Sequence, residues 1–175
     1  MSDNARFVLT VTGSDRPGLT SELSQAVLAA DGNWKEGHLS RLGGLYVGSV
    51  LVEIDTSKRE LLEQAIARID GGLEVRIFPA ESDGETAGSL LLFELVGQDR
   101  PGIIKEVSAV LANLGANIES LSSGEEMGAW GGEHLFRAEV LAILPDGVTP
   151  EEGQAALEAI SSEIMVDFSF ENPAA

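Results

Sequence analysis

The sequence lacks cysteine and has few histidines. Without cysteine, disulfides, thiolate metal sites and a cysteine nucleophile are excluded. His38 and His134 are the two histidines, which argues against a multi-histidine metal centre, so we expect neither a metal nor another cofactor. No apolar run of about 18 residues is present, and Met1–Asn4 does not resemble the basic start of a signal peptide. We therefore expect a cytoplasmic protein with no membrane partner.

Positive charge is also scarce. The 175 residues include 29 acidic and 11 basic side chains, a net charge of −18. Residues 1–80 hold 11 acids and 8 bases, whereas residues 81–175 hold 18 acids and 3 bases. Such a surface repels phosphates, so we expect no direct binding of nucleic acid. The acidic second half is either a solvated surface or a docking face for a basic protein.

What the sequence does contain is an internal repeat. The segment Gly13–Leu19 returns 84 positions later as Gly97–Ile103. Apolar residues then follow at the same offsets in both copies, as on one face of an amphipathic helix. The two sets are Leu19, Leu23, Ala26, Val27 and Ala30, and Ile103, Val107, Val110, Leu111 and Leu114. The duplication therefore predicts two copies of one folding unit.

Each copy continues with the same order of elements. Alternating strands, a second helix and a last strand predict β-α-β-β-α-β twice, the ferredoxin-like arrangement of an α+β protein. We expect antiparallel sheets with the helices on one face. The domains would be residues 1–80 and 89–175, joined by a polar linker at 81–88. The glycine pairs at 43–44 and 131–132 are suited to the hairpin turns.

The second helix of each copy has a capping signal. Ser57 with Glu60, and Thr149 with Glu152, have the spacing of a capping box. After the first of these, we expect an apolar helix face formed by Leu61, Leu62, Ala65, Ile66 and Ile69. These signals predict that the second helices start at Ser57 and Thr149.

The loop before each first helix has the features of a ligand site. A strand ends there and a helix begins, so free N–H groups and the helix dipole favour a carboxylate. In these loops, an aspartate carboxylate can accept hydrogen bonds from a ligand ammonium, and a glycine lets the ligand approach the backbone closely. The asparagine after the helix can donate to a ligand carboxylate and accept from a ligand amine. The candidate ligand-binding residues are Asp15, Gly18, Asn33, Asp99, Gly102 and Asn117. The sequence contains no nucleophile–base pair that would predict catalysis.

Structural roles for the same residues remain open. Asp15 and Asp99 are equally suited to cap a turn or a helix through their own backbone. Asn33 and Asn117 follow a helix end, where asparagine tolerates left-handed backbone. Trp130 lies in a glycine-rich loop and is either a packing residue or a lid.

The repeated pattern resembles the ACT domain. A strand, Asp-Arg-Pro-Gly, a helix and an asparagine that opens the next strand carry the resemblance, over residues 5–80 and 88–172. The resemblance implies a regulatory module that binds a free amino acid, and no enzyme activity. It also implies that the loop of one domain faces the asparagine of its neighbour. Asp15 would then share a position with Asn117, and Asp99 with Asn33.

Trp34 follows Asn33 directly, whereas Asn117 is followed by Ile118. We expect Trp34 to be a packing residue, and its bulk to narrow the position built from Asp99 and Asn33. The two positions should therefore differ in affinity.

Three functions are compatible with this resemblance. Two ACT domains without a further domain are similar to the family of glycine cleavage system transcriptional repressors. That likeness implies an amino-acid-responsive regulator, with glycine or serine as ligand, that acts on a regulatory protein. The alternatives are a detached regulatory subunit of an amino-acid metabolic enzyme and a dimerisation module without a ligand. A homo-oligomer is compatible with each of them.

Overall fold

The computed structural model describes residues 4–69, 72–80, 88–127 and 134–171. The chain separates into two compact units, Met1–Asp83 and Gly84–Ala175. We call them the first and the second unit. Three features of the sequence lie outside the described residues: positions 81–87 of the expected linker, Trp130, and the glycine pair at 131–132.

The first unit contains four strands and two α-helices. In chain order they are β1 (Asn4–Ser14), α1 (Leu19–Ala29), β2 (Asn33–Leu42), β3 (Leu45–Asp55), α2 (Arg59–Ile66) and β4 (Glu74–Pro79). A 3₁₀ turn, Thr56–Lys58, precedes α2. The strands form one antiparallel sheet in the order β2-β3-β1-β4.

The second unit repeats this arrangement. Its elements are β5 (Ser89–Gln98), α3 (Ile103–Asn113), β6 (Asn117–Met127), β7 (His134–Leu144), α4 (Pro150–Ile164) and β8 (Val166–Glu171). The antiparallel sheet has the order β6-β7-β5-β8. The predicted pair of ferredoxin-like βαββαβ units is confirmed. Within the described ranges, no helix is long and apolar enough to cross a membrane.

Each unit has its own apolar core between the helices and one face of the sheet. The predicted stripe of α1 is buried, and in α3 Ile103, Val107 and Leu111 are buried. Alternate residues of the central strands meet these helices: Phe7, Leu9 and Val11 in β1, and Leu91, Phe93 and Leu95 in β5. In each unit, the apolar residues of the strands and of the helices therefore pack in one core, as the sequence predicts.

The hairpin between β2 and β3 forms at the predicted glycines. Gly43 and Gly44 have φ values of 60° and 85°, which is the backbone that a two-residue hairpin turn of this type requires. Glycine adopts this conformation without steric cost.

The expected capping box at Ser57 is wrong. The α-helix begins at Arg59, and the preceding 3₁₀ turn is capped by Asp55, whose Oδ1 accepts from the Ser57 N–H at 2.9 Å. Asp55 already lies at the end of β3 with extended backbone, which is the conformation of an N-cap. Of the apolar face expected for α2, Leu62 and Ile66 are buried, whereas Leu61 is half exposed.

The capping box at Thr149 is confirmed. The Thr149 hydroxyl accepts from the Glu152 N–H at 3.2 Å, and the Glu152 carboxylate accepts from the Thr149 N–H at 2.8 Å. Pro150 occupies the first helical position, where a missing N–H costs nothing.

Candidate functional site

The predicted ligand loops have the same backbone in both units. α1 and α3 begin after Gly18 and Gly102, which have left-handed backbone with φ of 95° and 103°. In the part of the chain that the structure describes, no side-chain hydrogen bond caps either helix start. The N–H groups of the first turn therefore face the loop without a capping oxygen, which suits an anionic group of a ligand.

Each loop is anchored to the neighbouring hairpin. The Asp15 N–H donates to the Gly44 carbonyl, and the Asp99 N–H donates to the His134 carbonyl, both at 3.2 Å. Among the described residues, no hydrogen bond joins either aspartate side chain to the helix start that follows it. Both aspartates are on the surface.

An arginine–glutamate pair closes each loop onto its helix. The Arg16 guanidinium donates to both carboxylate oxygens of Glu22, at 2.6 and 2.7 Å. Arg100 makes the matching contact with Glu106, at 2.5 and 3.4 Å. The hydrogen bond from Arg16 holds the pKa of Glu22 below its ordinary value.

These two pairs were not predicted from the sequence, although a signal for them exists. The arginine of the Asp-Arg-Pro-Gly motif is followed by glutamate at the same offset in both copies. In each unit this pair fixes the turn that carries the aspartate and the glycine.

The predicted asparagines begin the second strands. Asn33 and Asn117 are exposed first residues of β2 and β6. The left-handed backbone expected for them occurs instead two residues earlier, at Asp31 (φ 52°) and Gly115 (φ 74°). A left-handed backbone therefore does not explain why asparagine stands at positions 33 and 117.

Within one unit, the aspartate and the asparagine lie at opposite ends of the sheet. Asn33 pairs with Glu53 of β3, and Glu53 pairs on its other side with Arg6 of β1. Asp15 follows Ser14, the last residue of β1, at the other end of that strand. The eight strand steps from Arg6 to Ser14 span about 26 Å. One unit alone therefore does not bring its own aspartate and asparagine to one small ligand.

The charged neighbours of the candidate residues differ between the units. Arg41 Nε lies 3.2 Å from Asp15 Oδ2. The Asn117 side-chain amide donates to Glu119 Oε1 at 2.7 Å. Both contacts are at the surface, so water and salt screen them.

The remaining aromatic and histidine candidates are placed as follows. Trp34 is half-buried and packs against the first core, as expected for a packing residue. His38 Nε2 is 2.9 Å from Glu36 Oε1, and both side chains are mostly exposed. His134 lies 3.9 Å from Glu125, also at the surface. Among the described residues, no three or more histidine or acidic side chains are grouped so that they could hold a metal ion.

Comparison with known proteins agrees with this fold. ACT-domain models match residues 5–77 and 92–161. An unknown protein from Galdieria sulphuraria, 27% identical, has a TM-score of 0.84 and aligns over 98% of this chain and 100% of that one. A protein provisionally described as a glycine cleavage system transcriptional repressor, 18% identical, has a TM-score of 0.68 and aligns over 97% and 98%. No curated protein matches the chain. The chain belongs to the ACT-domain family, with two ACT domains in tandem.

Proposed function

We propose that this protein is an amino-acid-responsive regulator without catalytic activity. It binds a small amino acid, glycine or serine, and acts through contact with a protein partner. The observation that carries the proposal is the repeated ACT loop, with an uncapped helix start after a left-handed glycine and a surface aspartate beside it. This combination provides N–H donors for a carboxylate and an acceptor for an ammonium.

Six residues form the proposed ligand positions. An aspartate and a glycine come from the loop of one unit, and an asparagine comes from the start of the second strand of the other unit. The two positions are Asp15 and Gly18 with Asn117, and Asp99 and Gly102 with Asn33. Support comes from the separation of about 26 Å within one unit, which is too large for one small ligand to touch the aspartate and the asparagine of the same unit.

Calorimetric titration with glycine and serine tests ligand binding. Asn33→Ala and Asn117→Ala each remove a donor and an acceptor from one position, which weakens binding there by about 1–3 kcal/mol, roughly 5- to 150-fold. Asn113→Ala is the matched control, because Asn113 is an exposed asparagine at the end of α3. If both asparagine variants bind as tightly as the control, the shared positions are wrong.

The protein acts through a protein partner rather than through DNA. The net charge of −18, with three basic residues after residue 80, opposes binding to phosphates. A gel-shift assay at physiological salt should show no complex with DNA for this chain alone. Salt-sensitive binding at submicromolar concentration would contradict this part of the proposal.

The class of partner is a transcriptional regulatory protein. This choice is motivated by the description of one structural relative as a glycine cleavage system transcriptional repressor. Affinity capture with and without glycine tests it, with identification of the captured protein. Capture of an amino-acid metabolic enzyme would instead identify the chain as a detached regulatory subunit.

A further inference from the structure

The first unit has a groove between α1 and α2 that shares no residue with the proposed amino-acid positions. Its volume is about 570 Å³, which is in the range of small-molecule sites. Ala26 and Ala29 line the α1 side, and Ala65 and Ile69 line the side of α2 and the turn that follows it. Ala26 is buried, Ala65 and Ile69 are half-buried, and Ala29 is exposed. The groove therefore has an apolar surface that extends from the core outward.

The second unit has larger side chains at the equivalent places. The 84-residue repeat puts Val110 at the place of Ala26. Ile160 corresponds to Ala65, since each lies three residues after the buried leucine of its helix. Val110 and Ile160 pack against the second core. In the first unit, the two alanines leave the space between the helices open.

The groove also carries one arginine that the described residues leave without a carboxylate partner. Every other arginine in the described ranges forms an ion pair with a carboxylate, whereas Arg68 forms none within those ranges. Arg16 lines the groove as well, but its guanidinium donates to both carboxylate oxygens of Glu22. Arg68 therefore offers a positive charge to an anion from solution, in a chain with a net charge of −18.

We propose that this groove binds an aliphatic monocarboxylate, with the carboxylate on Arg68 and the hydrocarbon tail against Ala26, Ala65 and Ile69. The occupant follows from the two kinds of surface, because the apolar side chains are stabilised when CH₂ groups cover them and the guanidinium matches a planar carboxylate. Inorganic phosphate has no tail for the apolar surface, and Arg68 repels an alkyl amine.

NMR titration of the isotopically labelled full chain with hexanoate tests the site. Saturable amide shifts are expected at Ala26, Ala65 and Ile69, without matching shifts at Val110 and Ile160. From butyrate to hexanoate, affinity should rise by up to about 4-fold for each added CH₂, because each one is removed from water. Hexylamine has the same tail with the opposite charge and should bind more weakly. Absence of saturable shifts at the groove, or equal binding of hexylamine, would overturn the proposal.

Filling the groove tests where the tail lies. Ala65→Ile introduces the side chain that the second unit has, and should weaken hexanoate binding by about 10-fold or more, since the tail loses its contacts. Ala67→Ile is the matched control, because Ala67 is an exposed alanine of the same helix end. Circular dichroism checks that both variants fold. If the two variants bind hexanoate equally tightly, the tail does not lie in the groove and the proposal is wrong.

Removing the cation tests where the carboxylate lies. Arg68→Gln should weaken hexanoate binding about 2- to 5-fold, as expected for a surface charge pair. Arg76→Gln is the control for loss of one positive charge, because Arg76 is an exposed arginine on β4. Equal binding by these two variants would overturn the assignment of Arg68. Glycine and serine are titrated separately, so failure of the groove site is distinguishable from failure of the proposed function.

Discussion

The first and second units have the same strand order but different chemistry at the margins of their cores. Tyr46 shares a hydrogen bond of 2.8 Å with Thr20 in the first unit. At the equivalent places the second unit has Phe136 and Ile104, which pack against its core. A polar contact in one copy is thus an apolar contact in the other. The comparison shows that the apolar stripes determine this fold, whereas positions at its margin are free to change chemistry.

The central strands of the two sheets also differ in charge at equivalent positions. In the second sheet Glu94 lies directly opposite Glu139, and Arg137 pairs with Glu94. The equivalent pair in the first sheet is Thr10 with Ser49. Like charges directly opposite each other destabilise a sheet. The second unit therefore carries an unfavourable charge pair that the first unit lacks.

The largest expected effect concerns the matched core positions Leu23 and Val107. Both side chains are buried, at 0% and 1% exposure. Leu23→Ala should lower the free energy of unfolding by about 2–4 kcal/mol, and Val107→Ala by an amount near the lower end of that range, because fewer atoms are removed. Urea denaturation measures the loss, and hydrogen exchange shows which unit is affected. Losses near zero for both variants would contradict the shared helical stripe.

The loop glycines should respond equally in the two units. Alanine at Gly18 or Gly102 meets no close neighbour, since the nearest atoms would be glutamate oxygens at 3.6 Å. The left-handed backbone still disfavours a Cβ, so each variant should lose about 1–2 kcal/mol of folding free energy. Thermal denaturation checks this. A loss in one unit only would show that the loops are not equivalent.

The second helices have different caps, and the capping box at Thr149 is expected to contribute to the folding free energy. Thr149→Ala breaks the capping box and should cost about 1 kcal/mol of folding free energy. Thr149→Ser retains the hydroxyl and serves as the matched control. If the serine variant loses as much as the alanine variant, the hydroxyl cap is not the cause.

Removing the opposed charges in the second sheet should stabilise it. Glu139→Ser places a serine opposite Glu94, at the position that Ser49 occupies opposite Thr10 in the first sheet. The change should raise the free energy of unfolding by about 0.2–1 kcal/mol. The gain should shrink at high salt, which screens the repulsion. Glu158→Ser, an exposed change on α4, controls for net charge. A loss of stability in Glu139→Ser would mean that Glu139 has a favourable partner.

Acid pH should affect the first unit through Asp55 and Glu22. Hydrogen bonds from the Ser57 hydroxyl and N–H lower the pKa of Asp55, and Arg16 lowers the pKa of Glu22. A lowered pKa contributes stability above the ordinary carboxyl range, near pH 4, and the contribution is lost as pH falls through the folded-state value. In Asp55→Asn and Glu22→Gln, the free energy of unfolding should fall less steeply with decreasing pH than in the wild type. If its dependence on pH is the same in the variants, these two carboxylates do not contribute to stability as stated.

The repeat allows the fold to be predicted from the sequence. Offsets such as Leu19, Leu23 and Val27 are local and occur twice, so each copy supports the other. The α2 cap was misplaced because a 3₁₀ turn comes between Asp55 and Arg59. A short turn of this kind has no periodicity that a sequence pattern would reveal.

The candidate site was predictable only in part. The loop with Asp15 and Gly18 follows from a local motif. The contact of Arg41 with Asp15 depends instead on the register of β2 against β3, which joins residues far apart in the sequence. The Arg16–Glu22 pair spans six positions across a loop and a helix start, outside the usual helical spacings.

The most direct test of the account is a glycine titration of the isotopically labelled chain, followed by NMR. The account predicts saturable amide shifts at a loop glycine, Gly18 or Gly102, and at the same glycine concentration at the asparagine proposed to act with it, Asn117 or Asn33. Replacing the aspartate of that loop by asparagine should abolish both sets together. Absence of saturable shifts, or shifts at a loop glycine without any at its proposed asparagine, would contradict the proposed binding of an amino acid by these residues.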